Sequence, residues 1–449
     1  MAGPDKPRKS LILILLMVIM VFPDCLLLNR ASAESSADYE LLVIGPESYR
    51  TMLKWFLDFK ETQGVKANYF SIEWIDANVQ GQCIVEKLHE FIAGEYRRSC
   101  IKYLLLVGTY EQVPTKYVYS PSDEAGLADF NYKPSDWYYA VPDWNDSEVG
   151  LLGGNIPKFA VGRLPVRNRE ELDRLLQKIV QVEREFKPGL FLILSDQNIN
   201  AGFLLDILNT SRKVIVESPS TTLDAGLLNN VTYLVSITHG NPDALFTRTP
   251  DGELKVLLAC GDADKLGVTY AIHYMAACFA GSLDLSGESL ARTLVTSKGG
   301  PGLVIASSRT ERLDNPILFG FWERFLATGD VGCSFIEAVE SYLLDQRVFS
   351  SSKPSFSSYN FYLDKVIYGD VSWRIKDPEY SIVDISILSN TGVQVENNGR
   401  GLLNENADEP TVFLPGGNSI ILLLVYTLSL ILAAEHKIWS RSRSRVSTR

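Results

Sequence analysis

Two apolar runs decide the fold: Val231-Thr232-Tyr233-Leu234-Val235-Ser236-Ile237-Thr238, which leads into His239-Gly240, and Val268-Thr269-Tyr270-Ala271-Ile272-His273-Tyr274-Met275-Ala276-Ala277, which leads into Cys278-Phe279-Ala280-Gly281. Each is rich in β-branched and aromatic residues and nearly unbroken. That is the pattern of a strand buried on both faces of a parallel sheet. The carboxyl ends of such strands form the rim where α/β proteins bind ligands. A histidine and a cysteine ending two of them can meet in one cleft, the layout that a thiol nucleophile with an imidazole base requires.

Strands alternate with helices on either side of this pair. Glu40–Ile44, Tyr69–Ile72 and Lys102–Val107 read as strands, with amphipathic helices at Ser48–Thr62 and Ile84–Tyr96 between them. Phe159–Pro165 is a further strand, and Asn168 caps the helix Arg169–Phe186. A second unit runs through strand Leu190–Leu194, helix Phe203–Thr210, strand Val214–Glu217, the two strands quoted above, helix Leu290–Ser297, strand Gly302–Ser307 and helices Asn315–Thr328 and Ser334–Asp345. The alternation predicts an α/β fold of two adjoining subdomains, 34–187 and 188–376, with mostly parallel sheets flanked by helices. Within the first subdomain Tyr110–Asn155, rich in Tyr, Trp, Pro and Asp, reads as a long aromatic loop or lid over the sheet.

The ends carry different signals. Lys6, Arg8 and Lys9 precede the apolar run Leu11–Phe22, and Ala31-Ser32-Ala33 offers a cleavage site, so residues 1–33 read as a secretory signal peptide. Residues 377–410 read as a stalk or linker. Residues 411–434 are uncharged and long enough for a transmembrane helix. The basic tail 435–449, with Lys437, Arg441, Arg443, Arg445 and Arg449, then belongs in the cytoplasm and the catalytic domain outside a cell membrane crossed once. The signal region contributes +2 and the tail +4 to a formal total of −11, so residues 34–434 carry −17. Such an acidic body disfavours nucleic acid as a partner.

Five of the six cysteines lie beyond the signal region, an odd count with no C-x-x-C spacing, so no zinc site is indicated and a free thiol is. There is no phosphate-cradling loop, H-E-x-x-H or D-x-D-x-D-G string. No cofactor is called for, and a structural calcium ion is not readable from the sequence. Of the four histidines, His436 flanks the membrane segment, His89 sits within a helix, and His273 lies inside a strand as a core residue. His239 is left to take the thiol proton of Cys278. The N–H groups of Gly240 and Cys278, at the strand ends, are the candidate oxyanion donors.

From about Leu41 to Ile375 the chain resembles the gingipain family of cysteine peptidases, which have a caspase-like fold. The marks are Tyr103-Leu104-Leu105-Leu106-Val107-Gly108, Ser135-Asp136-Trp137-Tyr138-Tyr139, Val161-Gly162-Arg163, His239-Gly240, Ala277-Cys278, the Gly299–Ser308 strand and Tyr368-Gly369-Asp370. The resemblance implies a Cys-His dyad, with Cys278 as nucleophile and His239 as general acid/base. It implies an orienting acid after the first strand of the second subdomain, where Asp196 stands. Lysine-cleaving members carry an acidic side chain in the loop matching Glu311 and Asp314, which makes those two the candidate binders of a basic P1 side chain, with Arg309 and Arg312 interleaved. The expected function is extracytoplasmic endopeptidase action on protein or peptide substrates. A transpeptidase or transamidase of the same broader group, or a surface binding protein that kept the fold, are the alternatives.

Overall fold

The computed structural model describes residues 39–99, 101–120, 131–149, 155–186, 190–195, 214–217, 223, 225–248, 252–311, 315–349 and 362–375. The signal segment 1–33, the helix expected at Phe203–Thr210, the stalk 377–410, the segment 411–434 and the tail 435–449 lie outside these residues. Among the described residues no helix is long and apolar enough to cross a membrane.

In chain order the strands are β1 (Leu41–Gly45), β2 (Ala67–Ser71), β3 (Tyr103–Val107), β4 (Lys116–Tyr119), β5 (Tyr132–Ser135), β6 (Ala160–Leu164), β7 (Leu190–Ser195), β8 (Val214–Glu217), β9 (Val231–Ile237), β10 (His239–Gly240), β11 (Ala244–Arg248), β12 (Leu254–Ala259), β13 (Thr269–Ala276), β14 (Gly300–Ser307) and β15 (Lys365–Tyr368). Ten of them form one sheet in the order β2-β1-β3-β6-β15-β14-β13-β9-β7-β8. Every neighbouring pair in it is parallel except β14–β15, where Val304 pairs with Tyr368 and Ser307 with Lys365. The strands of 34–187 and of 188–376 thus share a single sheet, and β15, late in the chain, is the strand between them. Burial explains the unbroken apolar runs: every residue of β1, β3, β6, β9 and β14 is buried.

Helices cover the sheet with their apolar faces. In Arg50–Thr62 the buried face is Leu53, Phe56 and Phe59, and in Arg169–Arg184 it includes Leu172, Leu175, Leu176 and Ile179. Asn168 caps the second of these by accepting from the Glu171 N–H. Asn315 does the same for Pro316–Thr328, accepting from Ile317 N–H.

Part of the aromatic stretch is core structure and not loop or lid: Asp136–Ala140 is buried, while Tyr117, Tyr119 and Tyr132 are exposed. It contains the β4–β5 hairpin and a 3-10 turn at Asp136–Ala140. Trp137 and Tyr139 are buried. Trp137 stacks on Phe335 with ring centroids 5.1 Å apart and donates from Nε1 to the Lys365 carbonyl at 2.8 Å. Asp136 receives Arg163 in a two-point ion pair, Nε–Oδ2 2.8 Å and Nη2–Oδ1 2.7 Å. Arg163 Nη1 then closes on the carbonyls of Gly108 and Val113 at 2.8 and 2.9 Å. The aromatics are therefore wrapped around a buried guanidinium that needs every one of these acceptors.

A second buried charge cluster joins helix to sheet. Lys60 Nζ lies 3.1 Å from Glu183 and 2.8 Å from Asp370, with all three side chains buried. Burial alone would pull Lys60 down, but Asp370 and Glu183 outweigh it and hold the ammonium above its ordinary value. Burial pushes Glu183 up to about 8, aided by Asp370 and opposed by Lys60. The folded chain therefore binds more protons here than the unfolded chain between pH 4.5 and about 8, and stability falls as pH rises through that window. Glu183→Gln should flatten this fall in thermal melts taken across it. Lys60→Met, which strands two buried carboxyls, should cost about 3–5 kcal/mol at neutral pH.

Candidate active site

His239 and Cys278 are brought together by strand register. Ile237 of β9 pairs with Ala276 of β13, and each of the two residues lies two positions beyond its partner of that pair. Neighbouring strands run about 4.8 Å apart. The Thr238 N–H donates to the Ala276 carbonyl at 3.2 Å, so the strands stay together to the last residue. Gly240 lies directly on the cysteine: a Cβ there would come within 2.8 Å of the Cys278 carbonyl oxygen and 2.9 Å of the Ala277 Cβ. Only glycine permits that approach. The two candidate oxyanion donors, Gly240 and Cys278, are thus main-chain neighbours.

The turn after Cys278 is strained and tied down. Phe279 has φ +59°, the left-handed region that costs a non-glycine residue of order 1 kcal/mol. Its N–H donates to the Arg309 carbonyl at 2.9 Å, and the Gly281 N–H to the Ser307 carbonyl at 2.8 Å. Cys278 itself is half-buried. Its Sγ accepts the Glu311 N–H at 3.2 Å.

The candidate P1 carboxylates are placed unevenly. The Glu311 side chain turns away into the core, where it is fully buried against Lys365, Ser307 and Asn315 Nδ2, the last at 3.0 Å. Burial pushes its carboxyl upward, against the pull of Lys365. The interleaved Arg309 pairs with Asp284 at 2.7 Å. Asp314 lies outside the described residues, and so does Asp196. Ser195, the residue before Asp196, pairs with Ile237, so β7 ends beside the strand that carries His239.

The other two described histidines, His273 and His89, are structural. His273 is buried, with Nε2 2.8 Å from Ser236 Oγ and Nδ1 3.1 Å from Tyr270 Oη, and burial drags it down to about 3. His89 is buried under Tyr138, with Nε2 2.8 Å from the Val141 carbonyl. Cys83, Cys260, Cys278 and Cys333 are free thiols. Among the described residues no three His, Cys, Asp or Glu side chains cluster so as to hold a metal ion.

Two site features escape the sequence reading. The first is a three-stranded antiparallel sheet, β10-β11-β12, that buttresses the histidine. His239 pairs with Phe246, and Arg248, two residues on and so on the same face, donates from Nε to His239 Nε2 at 3.2 Å. The signal for it is Pro250-Asp251-Gly252, a turn string between two short alternating runs. The second is the Glu311 amide on the sulfur, which no side-chain pattern announces.

The comparisons agree with this fold. The model of peptidase family C25 matches residues 34–370, and the chain belongs to that family, the gingipains. It is therefore a cysteine-type peptidase, a hydrolase whose substrates are proteins or peptides. Among solved structures it is similar to the complex of the pro- and mature domains of RgpB from Porphyromonas gingivalis, with 16% identity and a TM-score of 0.57 over 75% of this chain and 79% of that one. The Arg-specific cysteine proteinase gingipain R (RgpB) gives 16% identity and a TM-score of 0.57 over 76% and 78%. A structure described as a protease gives 13% identity and a TM-score of 0.55 over 75% and 78%. No curated protein is similar enough to match.

Gly240→Ala tests the strand-end packing. The added methyl forces the His239–Gly240 segment away from Cys278, and peptidase activity should fall at least tenfold while the melting temperature drops by only a few degrees.

Proposed function

We propose that the chain is a membrane-anchored, extracytoplasmic cysteine endopeptidase that works through Cys278 and His239. The thiol proton passes to the imidazole, and the sulfur attacks the scissile carbonyl. The N–H groups of Gly240 and Cys278 receive the negative oxygen of the tetrahedral intermediate. The imidazolium then protonates the departing amine, and water hydrolyses the acyl-enzyme with the imidazole as base. Asp196 is the residue proposed to orient His239.

The observation that supports this reading is the approach of Gly240, next to His239, to the Cys278 main chain just beyond the neighbouring ends of β9 and β13. A basic P1 residue is proposed through Asp314, because the Glu311 carboxylate is committed to Lys365. The segment 411–434 and the basic tail 435–449 support a single membrane span with the catalytic residues outside.

The test is a set of peptides varied at P1, incubated with the full chain, Cys278→Ala and His239→Ala. Cleavage after Lys or Arg that Cys278→Ala abolishes, and His239→Ala lowers by at least about a hundredfold, is the expected result. Equal cleavage by Cys278→Ala removes the thiol from the mechanism, and cleavage indifferent to P1 removes the basic pocket. Product captured by an added amine in place of water marks a transpeptidase instead.

A further inference from the structure

Both main-chain polar groups of a single residue face the sulfur of Cys278. The Glu311 N–H donates to Sγ across 3.2 Å, and the Glu311 carbonyl oxygen lies 3.8 Å from the same atom. The N–H can bond either form of the sulfur but bonds the ionised form more strongly, whereas the carbonyl accepts only from the thiol and at the longer distance, so the arrangement favours the ionised sulfur.

The side chain of the same residue explains why the amide is held there. Glu311 reaches into the core and meets Lys365 Nζ, while Lys365 Nζ also lies 2.7 Å from Ser307 Oγ and Asn315 Nδ2 holds the other Glu311 oxygen at 3.0 Å. These partners come from β15, from the end of β14 and from the cap of the helix Pro316–Thr328, three elements that cannot shift independently. The Lys365 carbonyl is fixed in turn by Trp137 Nε1. The side chains of Glu311 and Lys365 are both at 0% exposure. Burying such a pair adds little net stability over an apolar pair of the same shape, so its value lies in orientation.

We propose that the Glu311 main-chain amide is a thiolate-holding group of the active site and that Lys365 is the positioning residue that fixes it. The proposal rests on Cys278 as nucleophile and His239 as proton acceptor. The S–H bond breaks, its electron pair stays on sulfur and the proton goes to the His239 imidazole. On attack, a sulfur pair forms the S–C bond, the carbonyl π pair moves to oxygen, and the charge leaves the sulfur. The amide therefore acts on the resting nucleophile and sets the pH at which it becomes available.

The experiment measures the rate of iodoacetamide alkylation of Cys278 against pH, read by mass on the Cys278 peptide of the full-length protein, with thermal melting to establish folding. An ester in place of the 311 peptide N–H removes only the donor. The midpoint of the profile should rise by about one pH unit, a tenfold change in thiolate population. Lys365→Met combined with Glu311→Gln should raise it in the same direction, with kcat/KM lowered near neutrality and recovering as pH rises. A purely structural role would lower the rate alike at every pH. Should the double variant fail to fold, Ser307→Ala, which removes two bonds from the same anchor, must shift the midpoint upward. A folded ester variant with the wild-type midpoint overturns the amide's role. An unshifted midpoint in the folded double variant, or in Ser307→Ala if that stands in for it, overturns the role of Lys365. His239→Ala separates the two readings: if it leaves the profile unmoved the dyad fails, while the ester comparison still decides the amide.

Discussion

The buried contact between Lys365 and Glu311 is the constraint on which the rest of the site leans. Lys365 opens β15, the strand that joins the two groups of parallel strands, and Glu311 lies in the stretch between β14 and the helix Pro316–Thr328. Neither side chain has water to fall back on, so each holds the other's backbone in place. The consequence is felt at the sulfur, because the Glu311 N–H bonds Cys278. It is felt equally in the aromatic layer, because Trp137 binds the Lys365 carbonyl and the neighbouring Asp364 pairs with Lys133 of β5 at 2.9 Å.

Four of the strings that mark the family resemblance meet at buried charges. Gly108, Asp136 and Arg163 come from three of those strings and converge on one guanidinium. Tyr368-Gly369-Asp370 supplies another such meeting point, through Asp370 and Lys60. That part of the signature is, in physical terms, a short list of buried ions and the groups that neutralise them.

The parallel strands were legible because burial on both faces writes itself as an unbroken apolar run. β1, β3, β7, β8, β9, β13 and β14 fall within a few residues of the expected bounds. The core place of His273 was legible for the same reason. The antiparallel sheet behind His239 was not, because β10 has only two residues and β12 is largely exposed, so neither shows a period. The aromatic stretch was misread because its Asp, Tyr and Pro composition is that of a loop, whereas its polar groups are spent on Arg163 and on Lys365 from elsewhere in the chain. Glu311 was singled out for its charge, but its carboxylate lies in the core and only its amide reaches the sulfur. Sequence displays side-chain chemistry and conceals which way a residue turns.

The position of β15 in the chain has a bearing on how the protein is made. A ribosome delivers residues in order, and the strand at the middle of the sheet is among the last of the described residues to emerge. Until Lys365 arrives, β6 and β14 have no neighbour between them and the loop against Cys278 lacks its anchor. The sheet is therefore closed only after nearly all of the described residues have been made.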